Sequence, residues 1–305
     1  MFTCPEGAIE PALAWATCIL AERGCEEPRL DAELLLAHLL QWKRSQLHAH
    51  SRRLLTPEER AAFPLLVQRR AQREPLAYIL GHREFYGLDL IVDRRVLIPR
   101  PETELLVDLV LAHVSARRAG GAMEMRIADV GTGNGAIAIA LASKLPGALL
   151  YGLDISADAL AVAAINCHRH GVAERVITRQ GDLLTPLSEQ VDCIVANLPY
   201  VRRDEWAMLS PEIREYEPGV ALDGGEDGLF HIRRLLAQAG DYLAVEGAIF
   251  LEIGATQGPA ALALAQQGFP GADIRLHRDY AELDRVLAIK RCGQCRGKAL
   301  PELCP

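Results

Sequence analysis

Asn197, Leu198, Pro199 and Tyr200 close an apolar run from Val191 to Ala196, and they lie downstream of a glycine-rich turn, Asp129-Val-Gly-Thr-Gly-Asn-Gly135. Together these residues imply methyl transfer to a planar nitrogen. The lone pair of an amide or conjugated amino nitrogen is delocalised, so a protein that methylates it must hold both hydrogens and aim the lone pair. An asparagine side-chain oxygen and the next backbone carbonyl supply two acceptors for that purpose. Pro199 stiffens the turn, and the face of Tyr200 can pack against a flat acceptor group. Such a reaction requires no nucleophilic side chain and no metal.

A donor site is implied upstream. Gly131, Thr132, Gly133, Asn134 and Gly135 sit between a strand-like segment ending in Asp129-Val130 and an Ala/Ile-rich helical segment, so a ligand can approach bare backbone at a helix start. The Gly-x-Gly-x-Gly spacing alone is ambiguous, because it is a weaker dinucleotide signature than Gly-x-Gly-x-x-Gly and tight turns also carry glycines for packing. Asp154 ends the next strand, Tyr151-Gly-Leu-Asp, at the distance from which an acid accepts hydrogen bonds from two ribose hydroxyls. Asp182 follows Gln180-Gly181 and could accept from an adenine amino group while Leu183 packs on the ring; a turn-forming aspartate is the alternative. No basic residue suited to a pyrophosphate stands out, which favours S-adenosylmethionine over NAD.

The elements that must position these residues follow from periodicity. Residues 8–80 are helical in pattern, with Pro28 in a first turn and Thr56-Pro-Glu-Glu59 as a capped helix start running towards Arg73. Between Phe85 and Ile98 short alternating segments broken by Gly87 and Asp93 read as a β-hairpin linker. Pro99, Arg100 and Pro101 stop it, and Glu102, Thr103 and Glu104 open a helix to about Val114; helix initiation explains Arg100 and Glu102 as well as a supporting role in the site does. From Arg126 onward strands and helices alternate, which indicates a parallel sheet with crossover helices. Residues 197–228 read as a long loop, followed by a helix to Gly240, a strand at 248–253, a helix near 259–267 and closing strands near Ile274 and Val286. The expected architecture is α/β: a small N-terminal helical domain (1–81), a β-hairpin linker (82–98), a catalytic domain (99–290) that resembles a Rossmann-like seven-stranded S-adenosylmethionine-dependent methyltransferase, and a tail (291–305).

The bulk properties agree with a globular enzyme. The chain has 305 residues, half of them hydrophobic, and a net charge of -7. With a pI near 5.8 it shows no general basic footprint for tight nucleic-acid binding. Local clusters at Lys43, Arg44, Arg52 and Arg53 and at Arg69, Arg70 and Arg73 could face an acidic partner or form a solvated helix face. The eight cysteines are scattered, several in apolar segments, which fits a reducing cytoplasm better than a disulfide framework. No apolar leader or membrane-spanning run is evident. Cys292 and Cys295, with Cys304, fall short of a four-ligand zinc site, and the paired histidines His48/His50 and His168/His170 read as surface residues.

The ordered motifs identify a family resemblance. Pro75-Leu-Ala-Tyr-Ile-Leu-Gly81, Glu84-Phe-Tyr-Gly87, Val96-Leu-Ile-Pro-Arg-Pro-Glu-Thr-Glu-Leu105, Asp129 to Gly135, Asp154-Ile-Ser156, the Asn197 turn, Glu217-Pro218 and Gly224-Gly-Glu-Asp-Gly228 resemble the PrmC/HemK release factor glutamine methyltransferases over most of the chain. The related enzymes acting on a ribosomal-protein glutamine usually differ at the counterpart of Pro101-Glu-Thr-Glu104. The resemblance implies N5-methylation of the glutamine in the Gly-Gly-Gln motif of class-1 peptide chain release factors, with S-adenosylhomocysteine as the other product. It further implies that Gly131, Gly133, Gly135, Asp154, Asp182 and Leu183 line the cofactor, that Asn197 to Tyr200 hold the glutamine amide, and that the helical domain helps dock the release factor. The loop from Glu217 to Gly228 lies near the acceptor by the same resemblance.

One departure stands out. The family typically carries Asn-Pro-Pro-Tyr, and this chain has Leu198 in place of the first proline. The acceptor there is a backbone carbonyl, which survives the change, and Pro199 still restricts residue 198 to extended geometry. Leu198 brings an extra N–H and frees one φ. Asn-Leu-Pro-Tyr also resembles the turn of enzymes that dimethylate adenines in ribosomal RNA, so an adenine-N6 methyltransferase is the rival enzyme. A cofactor-binding protein with a disabled acceptor site is the non-enzymatic alternative.

Overall fold

The computed structural model describes residue 4 and residues 6–119 and 125–291; Cys292, Cys295 and Cys304 lie outside the described residues. The chain divides into two compact units, Met1–His82 with Ser210–Tyr216, and Arg83–Leu209 with Glu217–Pro305.

The first unit is helical: α1 (Ile9–Glu22), α2 (Pro28–Leu40), α3 (Arg44–Ala49), α4 (Pro57–Ala71) and α5 (Leu76–Leu80), joined by a short helix, α9 by its place in the chain (Pro211–Tyr216). Leu13, Ala16 and Leu20 recur at helical spacing on α1 and are buried with Leu35, Leu36, Phe63 and Val67 in one core. At the start of α4 the Thr56 hydroxyl accepts from the Glu59 N–H at 3.3 Å while the Thr56 N–H donates to Glu59 Oε2 at 2.8 Å. This reciprocal cap, with Pro57 in the first turn, stabilises the helix by about 1 kcal/mol.

Carboxylates of the same unit pair with most of the clustered arginines. Arg44 pairs with Glu33 at 2.8 Å, and Arg53 and Arg69 make two-pronged bonds to Glu59 and Glu74. Arg70 donates to Asp31 at 2.7 Å and to Glu212 at 2.9 Å, and Arg73 grips both oxygens of Glu212 at 2.6 Å. Glu212, on α9, is 139 residues from Arg73 in sequence, so local charge patterning could not reveal the pairing.

The second unit opens with a hairpin of β1 (His82–Phe85) and β2 (Leu88–Ile91). Its two turn residues, Tyr86 and Gly87, both have positive φ, as the tight type I′ connection requires. Next come a 3₁₀ turn at Pro101–Thr103 and α6 (Glu104–Ala119), then β3 (Met125–Val130), α7 (Ala136–Lys144), β4 (Ala148–Asp154), α8 (Ala157–Arg169), β5 (Val176–Gln180) and β6 (Val191–Ala196). After α9 the chain forms α10 (Phe230–Tyr242), β7 (Leu243–Glu252), α11 (Gly258–Gly268), β8 (Asp273–Arg278) and β9 (Asp284–Lys290). The seven strands lie in the order β5-β4-β3-β6-β7-β9-β8, with β9 antiparallel to both neighbours.

Strands β3 and β6 read as nearly continuous apolar runs because helices cover both faces. Met125 and Ile127 pack with Val107, Val110 and Ile139 of α6 and α7, while Ala128 and Val130 pack with Leu235, Leu236 and Ala261 of α10 and α11. This is the seven-stranded Rossmann-like architecture expected from the alternation of elements. Two details differ. The stretch after Asn197 holds two 3₁₀ turns, Arg203–Met208 and Gly219–Ala221, besides α9, and β7 begins at Leu243 rather than near 248. The added stretch of β7 carries a register shift against β6, with Glu246 at φ 64°. Among the described residues no helix is long and apolar enough to cross a membrane.

Candidate active site

Val130 at the end of β3 is paired with Ala196 at the end of parallel β6, so the glycine turn and the Asn197 turn leave the sheet side by side. The chain runs from β3 to β4 and β5 on one side and then returns to β6 on the other. Such a reversal opens a crevice at the carboxyl ends of the strands, the usual ligand position in open α/β sheets. A cleft of about 150 Å³ lies there. Gly131, Gly133, Asp154, Asp182, Leu183, Asn197, Leu198 and Pro199 all reach its wall.

Gly131 has φ +73°, and a Cβ there would come within 3.2 Å of Leu198 Cδ2 and 3.6 Å of the Asn197 carbonyl oxygen. Bare backbone is therefore required where the two turns touch. The Gly131 and Thr132 N–H groups donate to the Leu153 carbonyl at 2.8 and 3.0 Å, tying the turn to β4. Asp154 Oδ2 accepts from the Gly133 N–H and Oδ1 from the Ser156 N–H, both at 2.9 Å. Burial pushes the Asp154 carboxyl up, and these backbone donors pull it back. A carboxylate has about four acceptor sites, so these bonds leave capacity for a further donor.

Thr132, Asn134 and Gly135 lie off the cleft wall and shape the turn. The Thr132 hydroxyl donates to Asp129 Oδ2 at 2.6 Å, which also accepts from the Ala138 N–H at 3.1 Å. Asp129 is wholly buried, and that burial pushes its carboxyl up to about 7. Asn134 Oδ1 accepts from the Ala136 N–H at 3.2 Å, and Gly135 precedes α7 at φ +86°. Asp182 forms an ion pair with Arg234, a partner the sequence did not suggest, and Leu183 is buried beside it at φ 53°.

The acceptor side is held by buried side chains. Asn197 Nδ2 donates to Thr103 Oγ1 at 3.2 Å, Thr103 Oγ1 donates to Glu252 Oε2 at 2.7 Å, and the Tyr200 hydroxyl donates to Glu252 Oε1 at 3.3 Å. Glu252 is 1% exposed. Burial, then the Glu252 charge, raises the Tyr200 phenol above its ordinary range. Tyr200 is thereby turned to Glu252 and does not reach the cleft wall. Gln257 Nε2 donates to the Tyr200 carbonyl at 2.9 Å, and its Oε1 accepts from the Gly254 N–H at 2.8 Å. Against this corner lies Gly228, at φ +72°, where a Cβ would sit 2.2 Å from Gln257 Nε2 and 2.5 Å from the Tyr200 oxygen. Arg100 Nη2 donates to buried Glu217 at 2.5 Å, and the Ile98 N–H donates to the other oxygen at 3.2 Å.

Leu198 is buried in the cluster that packs under α10 and α11. Its side chain fills the space against Gly131, which a ring at that position would occupy differently. Among the described residues no donor reaches Asn197 Oδ1 or the Leu198 carbonyl. Two unclaimed acceptors therefore remain at a corner beside two carboxylates and an open glycine backbone. That donor and acceptor set fits a nucleoside bearing a sulfonium next to an NH2 group.

Sequence reasoning missed Thr103, Glu252, Gln257 and the Arg234 partner of Asp182. For Thr103 a signal existed, since it lies inside Pro101-Glu-Thr-Glu104, but its position also suited a helix start. Arg95, Val96 and Leu97, just after the hairpin, also line the cleft and carried no chemical signal of their own.

Comparison with known proteins agrees with this geometry. Residues 11–81 match the PrmC N-terminal domain and residues 103–210 match the methyltransferase small domain. The chain is 43% identical over 281 residues to the release factor glutamine methyltransferase of Geobacter sulfurreducens, covering 92% of this chain and 95% of that protein. It is 41% identical over 275 residues to the release factor glutamine methyltransferase of Agrobacterium fabrum, covering 89% and 93%. Among solved structures, the hMettl16 catalytic domain in complex with the MAT2A 3'UTR hairpin 6 aligns with a TM-score of 0.53 at 16% identity, covering 77% of this chain and 84% of that one, a likeness of fold. The protein is thus a methyltransferase whose cofactor is S-adenosylmethionine. By its identity to proteins matched over nearly their whole length, the chain belongs to the family of release factor glutamine methyltransferases.

Proposed function

We propose that this enzyme methylates the N5 amide of the glutamine in the Gly-Gly-Gln motif of class-1 peptide chain release factors. The observation that carries the reading is the corner at Asn197. Its Nδ2 is engaged by Thr103, so Oδ1 and the Leu198 carbonyl are left as paired acceptors next to the glycine turn. S-adenosylmethionine, when bound, supplies an electrophilic methyl group on a sulfonium.

The residues of the chain do the rest by alignment. Asn197 Oδ1 and the Leu198 carbonyl would each accept one amide hydrogen, which fixes the plane of the amide and directs its nitrogen into the cleft. Pro199 fixes the backbone between them, and Tyr200, anchored through its hydroxyl, sets the turn's orientation. Asp154 has acceptor capacity left for ribose hydroxyls, Asp182 keeps one oxygen for an adenine amino group, and Leu183 gives the ring an apolar floor. Gly131 and Gly133 keep side chains out of the donor site, and Thr132, Asn134 and Gly135 hold the turn in shape. Each neutral hydrogen bond is worth only about 1 kcal/mol net. Alignment, worth up to roughly 7–11 kcal/mol in favourable cases, must supply most of the rate.

Internal pairing of Arg44, Arg53, Arg69, Arg70 and Arg73 supports a protein substrate over a stable nucleic-acid complex, and a translation substrate supports a cytoplasmic enzyme. A labelled methyl-transfer assay that offers a release factor, ribosomal protein and nucleic acid in parallel tests the reading. Label on the release-factor glutamine is expected; label only on adenine or on ribosomal protein would overturn it.

A further inference from the structure

Asparagine is nearly symmetric in shape, and a site that needs its oxygen must be told which way the amide faces. The instruction here comes from a carboxylate that lies behind the turn. A threonine hydroxyl has one proton and two lone pairs, and a carboxylate can only accept. Thr103 Oγ1 is 2.7 Å from Glu252 Oε2, so its single proton is committed there. Toward Asn197, 3.2 Å away, Oγ1 can then act only as an acceptor. Asn197 must present its NH2 to Thr103 and its oxygen to the cleft. The same carboxylate takes the Tyr200 proton on Oε1, so one buried group sets both ends of the turn. Burial, the largest influence, holds the Glu252 carboxyl above its ordinary value and Glu102 adds to that, while the Thr103 hydroxyl, the Arg285 guanidinium and the Tyr200 hydroxyl act against it; in the geometry both Glu252 oxygens accept from a hydroxyl.

We propose that Glu252, acting through Thr103, is a positioning residue that fixes the amide polarity of Asn197 and so makes the acceptor site select a group bearing two N–H hydrogens over an oxygen-only one. This rests on the reading of the Asn197 turn as the holder of the acceptor. Glu252 touches no reacting atom. Its replacement by glutamine, of the same shape, lets an NH2 donate to Thr103, frees the threonine proton for Asn197 Oδ1, and allows the asparagine to turn its own NH2 to the cleft.

The test measures single-turnover methyl transfer to a full-length release factor at saturating cofactor. It also measures the cofactor dissociation constant and inhibition by a release factor whose Gly-Gly-Gln glutamine is replaced by glutamate. Thr103→Val and Glu252→Gln are each expected to slow transfer by about 100-fold, the scale of a misplaced reacting group. Cofactor affinity should stay within about twofold, and Thr103→Ser, which keeps the hydroxyl, should stay within about threefold of wild type. The preference for glutamine over glutamate should fall by at least about tenfold in Glu252→Gln, an effect that loss of rigidity alone would not produce. If Glu252→Gln does not fold, the Thr103→Val and Thr103→Ser pair decides the matter. Wild-type rates in Thr103→Val, with Asn197→Ala inactive, would overturn the positioning role and leave the acceptor reading standing. Activity in Asn197→Ala would overturn both.

Discussion

On the cofactor side of the cleft the wall is largely backbone, with Gly131 and Gly133 at positive φ, Asp154 held by the neighbouring Gly133 and Ser156 N–H groups, and Asp182 paired with Arg234. On the acceptor side the wall is a turn held by buried side chains, Thr103, Glu252 and Gln257, that arrive from other parts of the chain. The first half is damaged mainly by adding a Cβ, and of its two acids only Asp182 leans on a distant side chain, Arg234. The second can be damaged by removing a single hydroxyl or carboxylate that no substrate touches. A methyl donor is the same for every substrate, whereas an acceptor must be chosen, and choice requires fixed hydrogen-bond polarity.

Separate damage to the two halves should therefore give opposite kinetic signatures. The largest effect is expected from Asn197→Ala. Single-turnover methyl transfer should fall by at least about 100-fold, as when an aligned polar group is lost at a reacting centre, with cofactor affinity unchanged by equilibrium titration. Asp154→Ala should show the reverse. Its cofactor dissociation constant should rise about tenfold or more, from loss of charge-assisted hydrogen bonds worth about 1.5–3 kcal/mol each, with a near-normal rate once cofactor saturates. An unchanged dissociation constant would remove Asp154 from the ribose site.

Gly228→Ala places a methyl group against Gln257 and the Tyr200 oxygen, so the release-factor KM should rise and denaturant stability should fall by about 1–3 kcal/mol, with cofactor affinity intact. Equal loss of cofactor and acceptor binding would show that the halves are not separable. The smallest effect on catalysis is expected from His113, which is buried in α6 beside the Phe250 ring, away from the cleft. Burial lowers its imidazole to about 4, with Lys290 and Arg117 adding to the effect. The folded chain keeps His113 neutral while the unfolded chain binds a proton below its ordinary value near 6.5. The stability this supplies is full above that pH and is lost as pH falls towards 4, in all of the order of 3 kcal/mol. His113→Gln should flatten that slope in denaturant melts taken between pH 7 and 4 and leave both halves of the cleft working.

The same contrast explains what could be read from the sequence. Strand and helix alternation, the glycine turn and the strand-end acids are local patterns, and the structure brings Gly131, Gly133, Asp154, Asp182 and Leu183 to one wall. The supports of the acceptor turn are not local: Thr103 lies 94 residues before Asn197, and Glu252 lies 52 residues after Tyr200. A buried glutamate ending an apolar strand looks in sequence like a polar residue at a strand end, and only the fold shows what it faces. Glu212 was hidden in the same way, since its charge partners are set by chain return and not by helical spacing. The glycines of Gly224-Gly-Glu-Asp-Gly228 could be noticed as a motif, but the reason for Gly228 is a close approach to Tyr200, visible only in three dimensions.

The most direct test of the central claim is a crystal structure of the enzyme with S-adenosylhomocysteine and a release factor bound. The account predicts the glutamine amide nitrogen within hydrogen-bonding distance of both Asn197 Oδ1 and the Leu198 carbonyl, with the cofactor ribose on Asp154. An amide seated elsewhere, or an Asn197 amide turned with its NH2 to the glutamine, would contradict it.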